Sequence, residues 1–116
     1  MREFGDRVHF VTLYSREAHP YDSNPAANSR DAAGDPVVQP LTYVDRAALA
    51  AKAAAESGIT MRVLVDEMDD PVWCTYGRMP NMAYLIGTDG RIDTRQEWND
   101  PAGMRDAIRR YLAASR

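Results

Sequence analysis

At 116 residues, with 45% apolar and 27% charged side chains, the chain has the size and composition of one soluble globular domain with a single core. A net charge of −3 with scattered basic residues argues against a general nucleic-acid binder, and no stretch approaches the roughly 20 apolar residues that span a bilayer. The single cysteine, Cys74, excludes an intrachain disulfide, a CxxC redox pair and a multi-cysteine zinc site.

The N-terminus, Met1 to Asp6, has no apolar h-region of a signal peptide, so a cytoplasmic location is the default. Residues 7–15 place Val8, Phe10, Thr12 and Tyr14 on one side and His9, Val11, Leu13 and Ser15 on the other. Both sides are rich in β-formers, which predicts a strand covered on both faces, as in α/β folds. The stretch of about 20–42 holds Pro20, Pro25, Pro36 and Pro40 among polar residues and reads as a long loop. Loops of that length are often functional or mobile.

From about Val44 to Ser57 the alanine-rich sequence predicts a helix, with Asp45 as N-cap and Gly58 just past its end. Met61–Val65 reads as a short strand. The acidic residues Asp66, Glu67, Asp69 and Asp70 follow, then Pro71 placed to open a short helix through Val72, Trp73 and Cys74. Gly77 to Asn81 is a turn. Strands at Met82–Ile86 and Arg91–Gln96, joined through Asp89-Gly90, form a hairpin. The last helix has Asp100 as N-cap and Pro101 at its first position. Met104, Ala107, Ile108, Tyr111 and Leu112 make its apolar stripe, and Arg109-Arg110 its solvated side. Strands separated by helices imply parallel neighbours, closed by an antiparallel hairpin and a helix.

Three pieces of sequence together resemble the iodothyronine deiodinase family, a thioredoxin-like branch close to the peroxiredoxins. The first, Phe10 to Pro20, is similar to the family's strand ending in Tyr-x-x-Glu-Ala-His and carries Tyr14, Glu17, Ala18 and His19. The second is Val65 to Asp70 with Tyr76-Gly77-Arg78-Met79-Pro80, similar to an Asp-x-Met segment followed by Tyr-Gly-x-x-Pro. The third is the hairpin Ala83–Ile92 with the Pro101 helix. The resemblance covers most of the chain beyond Arg7. It implies a single domain, residues 1–116, forming a truncated thioredoxin-like α/β sandwich. Its mixed sheet ends in a C-terminal β-hairpin and a closing helix.

The resemblance also implies an active site. Tyr14, Glu17 and His19 would act with the nucleophile in binding and protonating substrate, histidine titrating near neutrality beside a carboxylate. Met79 and Pro80 would line the substrate side through a cis peptide bond. Two departures stand out. The family's strand-loop-helix carrying the catalytic selenocysteine or cysteine has no counterpart here. The loop before the alanine helix reads Gln39-Pro40-Leu41, where vertebrate deiodinases have a histidine. In that fold the missing strand lies between the strand at 8–14 and the one at 82–86, which leaves unpaired backbone edges. The expected partners are therefore a second copy of the chain or a strand-donating chain.

Other chemistry-bearing residues have plain readings. His9 reads as a packed or edge histidine. Cys74, the one candidate thiol, reads as a buried structural cysteine outside the family's nucleophile position. The acidic run lacks the alternation and distal glutamate of an EF-hand and reads as a solvated turn with Asp70 near a helix N-terminus. No metal and no cofactor is expected. Three functions remain open: a thiol- or selenol-type oxidoreductase whose nucleophile lies outside this chain, a binding domain for a small molecule or protein without redox chemistry, and an assembly subunit using an open strand edge. Iodinated aromatics, peroxides and thiols all remain candidate substrates, because a shared fold does not transfer function.

Overall fold

Alternation of β-branched segments with an alanine-rich and an amphipathic stretch builds a small α/β protein. Its computed structural model describes residues 2–22 and 29–115. The chain divides into two units, Met1–Tyr76 and Gly77–Arg116.

In the first unit a short 3₁₀ turn at Arg2–Phe4 buries Phe4. Strand β1 (Val11–Tyr14) pairs in parallel with β2 (Arg62–Val65), in the register Val11 with Arg62 and Tyr14 with Val65. The crossover between them contains helix α1 (Tyr43–Glu56), which packs on β2. The parallel pair matches expectation, but β1 is shorter than the strand read over 7–15. Only the residues opposite β2 have a ladder partner, and Val8, His9 and Phe10 have none among the described residues. One face of the pair is exposed rather than covered: Val11 is 49%, Leu13 38% and Leu64 41% accessible.

Helix α1 starts one residue earlier than the alanine run suggested. Its N-cap is Thr42, whose hydroxyl accepts from the Asp45 amide at 3.2 Å, so Asp45 lies in the first turn instead of capping it. The C-terminus is as read. Gly58 adopts φ +64°, and amides of Gly58 and Ile59 return to the carbonyls of Ala55 and Ala54. That is the paired 5→2 and 6→1 closure, which needs a residue at ease in the left-handed region.

The long loop is less irregular than its composition implies. Arg30 and Pro36 form an isolated antiparallel bridge, and Tyr21 and Ser29 donate to Val37 and His19 carbonyls. Asp31 pairs with Lys52 of α1, and the Ala32 amide donates to Glu56 at 3.2 Å. Pro25 lies outside the described residues.

The second unit is an antiparallel hairpin of β3 (Ala83–Ile86) and β4 (Ile92–Gln96), with a bulge between Leu85 and Ile86. Helix α3 (Pro101–Ala114) packs on both strands and buries Ala107 and Ile108 with Leu85. Asp100 caps α3 through the Ala102 amide at 3.2 Å, as expected. The Tyr111 hydroxyl hydrogen-bonds the Thr88 hydroxyl at 3.4 Å and accepts from the Thr88 amide at 2.9 Å; the side-chain bond first, then the amide, hold the phenol below its ordinary pKa. A Cβ at Gly87 would meet the Tyr111 hydroxyl at 2.7 Å and Asp89 Oδ1 at 2.8 Å, so a side chain here would have to displace them. Parallel and antiparallel pairs are both present, as two separate two-stranded sheets.

Candidate functional site

The carboxyl ends of β1 and β2 bring together a cluster of polar side chains in the first unit. Tyr14 ends β1, and its hydroxyl donates to Oε1 of Glu17, three residues on. Burial pushes the Tyr14 phenol well above its ordinary pKa. The hydrogen bond and the negative charge of Glu17 add to the rise, while Arg46 opposes it. With its proton committed to Glu17, the Tyr14 oxygen faces its surroundings as an acceptor.

Glu17 is held by its backbone. Gln39 accepts from the Glu17 amide at 3.0 Å and donates to its carbonyl at 3.1 Å. The Gln39 amide itself donates to Asp22 at 3.2 Å. A neutral carboxamide thus grips the backbone of a candidate catalytic carboxylate.

Beneath this lies a buried ionic lock. Arg46 of α1 is only 2% exposed, and its Nη1 donates to the carbonyls of Asp66 and Glu67 at 3.2 and 2.6 Å. The same nitrogen lies 2.9 Å from Oδ1 of Asp70 as an ion pair without hydrogen-bond alignment, and Arg46 Nε has no hydrogen-bond partner among the described residues. Asp66, also 2% exposed, uses its carboxylate to accept from the amides of Glu67, Val72 and Trp73. It thereby caps α2 (Pro71–Tyr76) from outside the helix. Asp70 takes φ +56°, a left-handed conformation that aspartate tolerates better than most residues, and its carbonyl accepts the first helical bond from Cys74.

The acidic run is solvated only in part: Glu67 and Asp69 are exposed and Asp70 precedes α2 as expected, but Asp66 is buried to satisfy the helix terminus, and Asp70 is ion-paired with Arg46 with Arg16 at 4.0 Å. Cys74 is exposed on α2 rather than buried. His9 is exposed beside β1.

The structure brings Tyr14 and Glu17 together. It places the His19 side chain exposed at the start of the loop, where the His19 carbonyl accepts from Ser29. Met79 and Pro80 belong to the second unit and are both exposed. The Met79-Pro80 bond is trans, which corrects the expected cis geometry.

Sequence reading missed Arg46 as a site residue, although a signal was present. It stands four residues before the buried Ala50, so this charged side chain shares the helix face turned inward. Among the described residues no group of three or more His, Cys, Asp or Glu is placed to hold a metal ion. No helix there is long and apolar enough to cross a membrane. Comparisons with protein-family models, curated proteins and solved structures find no match.

Proposed function

We propose that this chain is the scaffold of a thioredoxin-like oxidoreductase of the deiodinase kind, whose thiol or selenol nucleophile lies outside it. One observation carries the reading: the Tyr14 hydroxyl rests on the Glu17 carboxylate at the carboxyl end of parallel strand β1. Open α/β sheets bind ligands at that end of their strands. Glu17 and His19 are the groups that would hold or deliver a proton as substrate is reduced. Tyr14, with its phenol pKa raised, is a poor acid and acts by orienting the carboxylate. The substrate is a small molecule or a thiol, and the setting is cytoplasmic.

The test is to express the chain with the coding sequence directly upstream and assay thiol-dependent reduction of a hydroperoxide and an iodophenol. A cysteine or selenocysteine in a strand-loop-helix context is expected, with activity falling about 100-fold in Glu17→Gln, the scale of a lost proton-transfer group. Absence of such a residue, or activity indifferent to Glu17→Gln and His19→Ala, overturns the reading.

A second reading, an assembly subunit that pairs through an open strand edge, is favoured by β1. Among the described residues it has a ladder partner on one side only, and all four of its residues are uncharged.

A further inference from the structure

Strand edges are protected from pairing by charged side chains, prolines and bulges. By that measure the edges of this protein differ. β2 carries Arg62 and β4 carries Asp93 and Arg95, whereas β1 reads Val-Thr-Leu-Tyr. The Asp66 amide donates to the Tyr14 carbonyl, and in a parallel ladder this turns the backbone groups of Thr12 and Tyr14 toward β2. Those of Val11 and Leu13 then face the open edge. The side chains of the same two residues lie on the exposed apolar face with Leu64. Just before β1, Val8, His9 and Phe10 carry strand-forming sequence without a ladder.

We infer that this edge pairs with the same edge of a second copy, antiparallel about a two-fold axis at Thr12, an inference that rests on the assembly reading above. In this register Val11 of each copy exchanges backbone hydrogen bonds with Leu13 of the other, and Thr12 meets Thr12 as a non-hydrogen-bonded pair. His9 falls opposite Ser15 and Phe10 opposite Tyr14, so the residues that lack a ladder gain one. At each end Arg7 of one copy comes to the segment where the other carries Glu17, placing opposite charges together. No like charges oppose one another along the pairing from Arg7 to Glu17. The product is a four-stranded sheet, β2-β1-β1-β2, on which Val11, Leu13 and Leu64 of both copies form one apolar strip, with Arg62 of each copy on the same face at the outer strands. The edge of β3 is also uncharged, but its observed ladder nearly fills the strand read from sequence and leaves no comparable unpaired extension.

Light scattering from micromolar to millimolar concentration tests this on the chain as it stands. A dimer whose fraction rises with concentration is expected, and Leu13→Lys is expected to be monomeric. Thr12→Cys in a Cys74→Ser background reads the register. Cα atoms of a non-hydrogen-bonded antiparallel pair lie about 4.5 Å apart, within disulfide range, so oxidation is expected to give a covalent dimer. Leu41→Cys in the same background, an exposed position before α1, is expected to remain uncoupled. A chain that stays monomeric throughout overturns both this pairing and the assembly reading. A dimer that survives Leu13→Lys and does not cross-link through Thr12 overturns the β1 pairing alone.

Discussion

Among the described residues, the first unit buries two charged side chains, Arg46 and Asp66, beside Phe4, Pro20, Pro40 and Ala50, whereas the side chains buried in the second are the aliphatic Leu85, Ala107 and Ile108. The contrast follows from what each helix can offer its sheet. Helix α3 presents Met104, Ala107, Ile108, Tyr111 and Leu112 as one stripe and can bury aliphatic surface. Helix α1 presents mostly alanine, which buries little, and one arginine long enough to reach the β2–α2 turn. Apolar packing is non-directional and forgiving of modest changes in shape. A buried charge is different, since its partners must all be in place. The first unit is thus held where its chemistry is placed, and damage to the lock is expected to reach Tyr14 and Glu17 as well.

Substitutions rank this contrast. Arg46→Met removes the nearer of the two arginines beside Asp70, leaving Arg16 at 4.0 Å, and strips the donor from the carbonyls of Asp66 and Glu67. It is expected to destabilise the first unit by about 3–5 kcal/mol, the range for breaking a buried ion pair. Denaturant unfolding followed by Trp73 fluorescence in a Trp98→Phe background reads it. A loss no larger than that of an exposed substitution would mean that the lock is dispensable. Ile108→Ala should cost about 2–4 kcal/mol through lost burial and a cavity under α3, read from Trp98 in a Trp73→Phe background. Asp66→Asn keeps the shape but removes the charge that accepts from three amides. A loss of about 1–3 kcal/mol is expected, with faster hydrogen exchange at Val72 and Trp73.

The Tyr14–Glu17 pair supplies a pH signature. Because the folded-state pKa of Tyr14 lies above its ordinary value of 10, its contribution to stability is intact below pH 10. That contribution is lost as pH rises through the folded pKa. Unfolding midpoints measured in alkaline solution should therefore fall above about pH 10 in the native chain and less steeply in Tyr14→Phe. Glu17→Gln should bring the phenol transition, read by ultraviolet absorbance, partway back toward the ordinary value. It should not restore that value, because burial is the larger cause. The smallest effect belongs to the Lys52–Asp31 pair, in which Lys52 is half exposed and Asp31 largely covered: Lys52→Ala is expected to lower the unfolding midpoint only slightly and to show itself mainly as faster proteolysis near residues 29–38.

Much of this architecture was legible in the residues. Helix α3 was readable because its cap, Pro101 and five-residue stripe agree with one another, and the hairpin because Asp89-Gly90 sits between two β-forming runs. Parallel pairing of β1 and β2 followed from the intervening helix. The cap of α1 was misplaced because Thr42 and Asp45 are both good capping residues, and only the backbone decides which has extended geometry. Of the candidate site, the grouping of Tyr14, Glu17 and His19 at the end of a strand was legible, but that Glu17 would take its hydrogen bond from Tyr14 was decided by the fold. The grip of Gln39 on Glu17, across 22 residues, was not legible.

The sequence by itself determined the element order and the amphipathic face of α3. It also determined which side chains could do chemistry, since these depend on local periodicity and residue type. Tertiary structure alone decided that Arg46 and Asp66 are buried, that Asp70 is left-handed, that the Met79-Pro80 bond is trans and that Cys74 is exposed. Each of those outcomes depends on partners brought close by the fold. The energy of a buried charge or a constrained backbone belongs to its surroundings, which no local window of sequence contains.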